Sequence, residues 1–260
     1  MPGYLTKQES IAVQGVANLH IRSLFDNQQF ADPLGLAAQV GISAATWPLF
    51  GLLWPSGAEL AAHMALRPVT VGERILEIGC GLGLASLVGH RRGADMTASD
   101  CHPLAAQFLA ENLRLNGMGP MKYRHGLWGT VDGQLPTDPA AAPTPPDATV
   151  TQTNEPTHPL PLNDGSVDVC GRFDLIMGSD VLYERDDSGG LAHFIEEHAT
   201  ASAEVWIVDP HRGNRPAFNR RMTHLGFDLT EQRLDRLASL TQTAYKGRLL
   251  TYRRPGAAAH

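Results

Sequence analysis

Cysteine is scarce in this sequence: Cys80, Cys101 and Cys170 are the three among 260 residues. An odd, thinly spread set excludes a disulfide framework. No C-x-x-C or H-E-x-x-H spacing is present to hold a metal, and His193 and His198, five apart, fall on different helix faces. Long apolar runs are missing as well. No stretch of 18 apolar residues occurs, and the N-terminus lacks a charged, apolar and small-residue leader pattern. Positive charge is not in excess, since 21 Lys and Arg against 27 Asp and Glu give a formal charge of -6. That balance argues against a surface built to grip a polyanion. The expectation is a soluble, cytoplasmic chain with small reduced thiols, no bound metal, no membrane segment and no nucleic-acid partner. Arg212, Arg215, Arg220 and Arg221 form the one notable basic cluster and read as a solvated face.

Against those absences, one motif stands out. Arg74-Ile75-Leu76 is a short apolar run, Glu77-Ile78-Gly79-Cys80-Gly81-Leu82-Gly83 follows directly, and Leu84 to Arg92 reads as a helix. Alternating glycines between a strand and a helix let the backbone turn tightly and approach a ligand closely. Asp100 closes a second apolar run, Met96 to Ser99, and an acid there is placed to accept hydrogen bonds from a ribose diol. The set implies a nucleoside-containing cofactor. A dinucleotide is disfavoured on two counts: Leu84 stands where the third glycine of G-x-G-x-x-G belongs, and Glu77 would repel a pyrophosphate. S-adenosyl-L-methionine carries no phosphate, and its sulfonium and ammonium suit an acid beside the pocket.

The rest of the chain alternates strands with helices. Leu19 to Phe30 reads as a strand or hairpin, and Asp32-Pro33-Leu34-Gly35 as a turn. Ser56 and Glu59 have capping-box spacing ahead of a helix whose face holds Leu60, Ala61, Met64 and Ala65. Pro103 and Gly117 bracket another helix. Strands are expected at Met121 to His125, Phe173 to Met177, Val205 to Val208, Phe227 to Arg233 and Arg248 to Arg253, with a helix over Phe218 to Leu225. The pattern predicts an α/β fold: a doubly wound, mostly parallel seven-stranded sheet with an antiparallel C-terminal edge hairpin. Residues 1–53 form an N-terminal extension packing on the core, and residues 54–260 the main domain. A Pro-, Thr- and Ala-rich insert at about 130–170 is too poor in large apolar groups to pack, and reads as a surface excursion ahead of an acceptor lid.

On these residues the chain resembles the class I, seven-β-strand S-adenosylmethionine-dependent methyltransferases, a Rossmann-like methyltransferase fold. Within them it is similar to the small protein lysine methyltransferases, the group that includes the electron-transfer-flavoprotein β-subunit enzyme. The resemblance spans roughly residues 50 to 253 and rests on Trp54-Pro55-Ser56-Gly57, the Glu77 to Gly83 motif, Asp100, Glu111-Asn112 with Asn116, and Asp180-x-x-Tyr183. It implies that Trp54 and the loop of Gly79, Cys80, Gly81 and Gly83, with Glu77, border the methionine end of the cofactor. It further implies that Asp100 holds the ribose, that Trp128 lies near the adenine, and that Ser179, Asp180 and Tyr183 line the acceptor entrance. Gly126-Leu127 stand where the group often has an acid before that tryptophan.

Methyl transfer needs a positioned, unprotonated nucleophile. Tyr183 is expected to pack against an acceptor amine and Asp180 to accept its hydrogen bond, one helical turn presenting both as the catalytic pair. A structural alternative has Asp180 capping a following helix and Tyr183 packing on the sheet. The sequence leaves three activities open: methylation of a protein lysine, which leads; N- or O-methylation of a small molecule; and a cofactor-binding module without catalysis.

Overall fold

The computed structural model describes residues 3–128, 168–183, 185–236 and 244–254. All but the last three residues of the predicted insert at about 130–170 lie outside that set. The elements run β1 (Thr6–Ile11), β2 (Leu19–Leu24), α1 (Leu36–Gln39), α2 (Pro55–Leu66), β3 (Arg74–Ile78), α3 (Leu84–Arg91), β4 (Asp95–Asp100), α4 (Ala105–Leu115) and β5 (Lys122–His125). They continue with β6 (Phe173–Ser179), α5 (Gly190–His198), β7 (Ala199–Asp209), α6 (Arg215–His224), β8 (Asp228–Arg233) and β9 (Arg248–Arg253).

Among the described residues the main sheet has seven strands in the order β5-β4-β3-β6-β7-β9-β8, and β1 pairs with β2 in a separate hairpin. Strands β5, β4, β3, β6 and β7 are parallel, whereas β9 runs antiparallel to both β7 and β8. The central strands are buried on both faces, as their unbroken apolar runs require: Ile75, Leu76 and Ile78 of β3 and Leu175, Ile176 and Met177 of β6 are inaccessible or nearly so. Chain order steps outward from β3 to β4 and β5, then returns to β6 and β7 on the other side. The carboxyl ends of β3 and β6 therefore flank a topological switch point, where such sheets open a crevice.

Several boundaries differ from the sequence expectation for local reasons. α2 begins at Pro55, with Trp54 rather than Ser56 at its cap and no side chain closing it. The capping box does not form because its members have tertiary partners. The Ser56 hydroxyl shares a hydrogen bond of 3.1 Å with the Tyr245 phenol, and Glu59 pairs with Arg236. Pro103 sits in the turn before α4 rather than at its first position, while Gly117, at φ 63, does end that helix. β1, with only its end residues partly covered, α1 and α5 are additional elements, although Leu191, Ala192 and Ile195 give α5 a buried helical face.

The hairpin is fastened to α4 by two amides one helical turn apart. Asn112 Oδ1 accepts the Arg22 N–H at 2.7 Å; Asn116 Oδ1 accepts the His20 N–H at 3.0 Å, and its amide donates to the His20 carbonyl at 2.8 Å. These side chains take the place of a neighbouring strand along β2. Asn112, fully buried, also donates to the Leu82 carbonyl of the glycine turn at 3.3 Å, so one amide joins hairpin, helix and turn. Asn112→Ala leaves a covered donor and a covered acceptor without partners. It is expected to cost about 2–4 kcal/mol in denaturant unfolding, whereas a change below 1 kcal/mol would mean that water takes over the bonds.

Candidate active site

A cleft of about 1190 Å³ opens at the carboxyl ends of β3, β4, β6 and β7. Trp54, Glu77, Gly79, Cys80, Gly81, Asp100, Trp128, Ser179, Asp180 and Tyr183 all line it. Gly83, alone of the residues expected at the site, does not. A Cβ there would come within 2.6 Å of Leu109 Cδ1, so this glycine lets α3 and α4 approach each other and leaves the ligand face to its neighbours.

The turn itself is shaped by close approach. Gly79, at φ 57, leaves room that a Cβ would lose, standing 2.9 Å from Val181 Cγ1. Gly81, at φ 50, lies under the 3-10 turn Trp47–Gly51, where a Cβ would meet the Phe50 carbonyl oxygen at 2.7 Å. Neither position accepts a side chain without moving the backbone.

Two carboxylates form the floor. Glu77 is 3% exposed, and one of its oxygens accepts both the Ser86 N–H at 2.7 Å and the Ser86 hydroxyl at 2.5 Å. Asp100 is 6% exposed; Oδ2 accepts the Gly81 N–H and Oδ1 the His102 N–H, both at 2.8 Å. Burial pushes both acids up, and Glu77 reaches about 7 against the hydrogen bonds from Ser86. Burial likewise holds the Cys80 thiol neutral. Among the described residues no lysine or arginine forms an ion pair with either acid.

His102 is a site residue the sequence reading missed. It lines the cleft, stacks on Phe50 with ring centroids 3.6 Å apart, and is pushed down to about 3 by burial. Its Nδ1 accepts the Leu104 N–H at 3.1 Å, which places the proton of the neutral ring on Nε2. The only sequence signal was its position two residues past Asp100.

On the other side, Trp54 borders the cleft with its indole N–H bonded to the Leu49 carbonyl at 2.8 Å. Trp128 follows β5, yet its ring lies beside Gly79 and 5.8 Å from Phe194 of α5. Ser179 ends β6, and Asp180, Val181, Leu182 and Tyr183 form a turn rather than the expected helical turn. No helix starts there for Asp180 to cap. That role belongs to Asp186, which accepts the N–H groups of Gly189, Gly190 and Leu191 ahead of α5. Asp180 instead accepts a hydrogen bond from Arg212 Nε at 2.9 Å, while Tyr183 is 49% exposed at the mouth. The arginine cluster, expected as a solvated face, contributes Arg212, Arg220 and Arg221 to the cleft wall.

No protein-family model matches the chain. It is similar to the electron transfer flavoprotein beta subunit lysine methyltransferases of Rattus norvegicus and Mus musculus, at 31% and 25% identity over 191 residues. Those stretches cover 72% of this chain, which spans 59% of the length of each relative. Among solved structures, a methyltransferase from Pyrococcus furiosus aligns with a TM-score of 0.46 at 14% identity, covering 72% of this chain and 76% of that one.

The raised Glu77 makes stability depend on pH. Between an ordinary glutamate value of 4.5 and about 7, the folded chain keeps a proton that the unfolded chain releases. That stabilisation is complete below the unfolded value and is lost as pH rises through about 7. Across this window the unliganded protein is expected to lose on the order of 3 kcal/mol that Glu77→Gln does not lose. Parallel denaturant titrations of the two proteins check this, and identical pH slopes would remove the effect.

Proposed function

We propose that this chain is an S-adenosyl-L-methionine-dependent methyltransferase whose acceptor is a protein lysine side chain. The observation that carries the cofactor reading is the cleft floor, where Glu77 and Asp100 are buried with no cationic side chain paired to them among the described residues. Such a floor disfavours a pyrophosphate and suits a ligand bearing a sulfonium, an ammonium and a diol. The side-chain-free approach at Gly79 and Gly81 supplies a cradle that a Cβ would fill.

Bound there, S-adenosylmethionine supplies a methyl group activated for in-line displacement. Asp100 is the acceptor for the ribose hydroxyls, its carboxylate keeping a lone pair beyond the bonds from the Gly81, Cys101 and His102 backbone. Glu77 balances positive charge, the glycine turn and Trp54 border the methionine end, and Trp128 walls the side facing β6. Ser179, Asp180 and Tyr183 line the acceptor entrance, Tyr183 packing on the amine and Asp180 accepting its N–H. With the cofactor bound, transfer would need the acceptor amine unprotonated, its proton passing to water beforehand.

Two observations support a protein acceptor over a small molecule. The rat and mouse relatives carry the name of a protein lysine methyltransferase. The cleft, at about 1190 Å³, has room for an extended side chain to enter beside the cofactor. Its rim is mixed in charge, with Arg185, Arg212, Arg220 and Arg221 beside Asp180, Asp186 and Asp187. Among the described residues no helix is long and apolar enough to cross a membrane; a cytoplasmic setting is part of the proposal.

Calorimetry tests the cofactor. S-adenosylmethionine and its demethylated product are expected to bind with NAD failing to compete, and Asp100→Ala is expected to weaken binding by about 1.5–3 kcal/mol. Affinity should rise as Glu77 ionises through about 7. Methyl-labelled cofactor with cell lysate tests the acceptor: label in protein supports the reading, and label confined to small molecules would replace it with the alternative.

A further inference from the structure

Arg212 stands where two strands end. The Asp209 side chain is fully buried at the close of β7, and both its carboxylate oxygens accept the Arg212 backbone N–H at 3.2 Å. His211, between them, has left-handed backbone at φ 64. Asp180, at the end of neighbouring β6, is left-handed too, at φ 58, and its N–H donates to the Val208 carbonyl at 2.9 Å. Such a backbone is unfavourable for residues with a Cβ and is kept where surrounding structure enforces it. Here it accompanies the bond from Arg212 Nε to Asp180 Oδ1 at 2.9 Å.

That bond is single, although guanidinium and carboxylate commonly join through two. Asp180 Oδ2 and the terminal nitrogens of Arg212 make no hydrogen bond among the described residues, and both side chains line the cleft. The arginine side chain is 41% exposed, so the pair contributes little stability by itself.

We propose that Arg212 is a positioning residue for the acceptor nitrogen: it fixes Asp180 so that Oδ2 receives the amine N–H, and its charge favours the amine without its proton. This rests on the lysine acceptor proposed above. A carboxylate alone beside a lysine retains the ammonium form, which has no lone pair with which to attack; a neighbouring cation shifts the balance towards the amine. Asp209 from β7 and Tyr245 from the segment before β9 act electrostatically on the same place, and Tyr183 and Glu77 line it. None of these four is a cation; His211 and Arg215 act electrostatically on Asp209, and Arg220 lines the cleft wall. Arg185 is paired with Asp187, and Arg221 is bound to the carbonyls of Asp186 and Asp187. Arg212 is the guanidinium hydrogen-bonded to Asp180, and so supplies the positive charge in direct contact with it.

The test compares wild type, Arg212→Met, Arg212→Lys and Asp180→Asn, using methyl-labelled S-adenosylmethionine and lysate protein across a neutral-to-alkaline pH series. Arg212→Met is expected to move the rising limb of protein labelling about one pH unit higher and to cut the neutral-pH rate about tenfold. Arg212→Lys, which keeps the charge, should retain the wild-type limb, and Asp180→Asn should move it the opposite way. Melting temperature and calorimetric cofactor affinity should match wild type in both Arg212 variants. An unmoved limb in Arg212→Met, or a uniform loss that Arg212→Lys does not restore, overturns the inference while leaving the methyltransferase reading intact. No protein labelling by wild type overturns the lysine acceptor itself.

Discussion

The carboxylate of Asp100 bridges two loops that leave parallel neighbouring strands. One oxygen holds the Gly81 N–H and the other the His102 N–H, and a further bond of 2.9 Å from the Cys80 N–H to the Ser99 carbonyl runs alongside. The turn after β3 is thereby referenced to the end of β4. Without that reference the positive φ values at Gly79 and Gly81 would permit many turns rather than one. Phe50 then rests on both partners, its carbonyl against Gly81 and its ring on His102. The cover over the cleft and the floor beneath it share one anchor.

Charge across the cleft is segregated by strand. On the β3 and β4 side, Glu77 and Asp100 are buried, bonded by N–H and O–H donors, and paired with no lysine or arginine among the described residues. On the β6 and β7 side, Asp180 is answered by a guanidinium. The two sides of one cavity therefore differ: among the described residues, one carries acids without a guanidinium partner and the other an acid with one.

How far this was legible in the sequence depends on the range of the interactions. The central strands β3, β6 and β7 follow apolar runs that local reading detects, and the glycine turn is a local requirement as well. Asp180 and Tyr183 were found as neighbours in a short motif, but the partner of Asp180 lies thirty-two residues away, just past the end of the neighbouring strand and beyond any local pattern. Ser56 and Glu59 misled for the same reason: their spacing was correct for a cap, yet Tyr245 and Arg236 from the far end of the chain compete for them. β1 was invisible because its outward residues are polar almost throughout. His102 looked ordinary because its burial is imposed by Trp47 and Phe50, over fifty residues upstream.

The β1–β2 hairpin is local in sequence, but its outer edge is held by Asn112 and Asn116, 90 and 96 residues distant from Arg22 and His20. Its edge amides have no strand to protect them until α4 has formed and docked. Hairpin closure is thus tied to completion of the β4–α4 unit, whatever its own rate of pairing. Amide exchange at His20 and Arg22 becomes a remote gauge of whether the helix that follows Asp100 is in place.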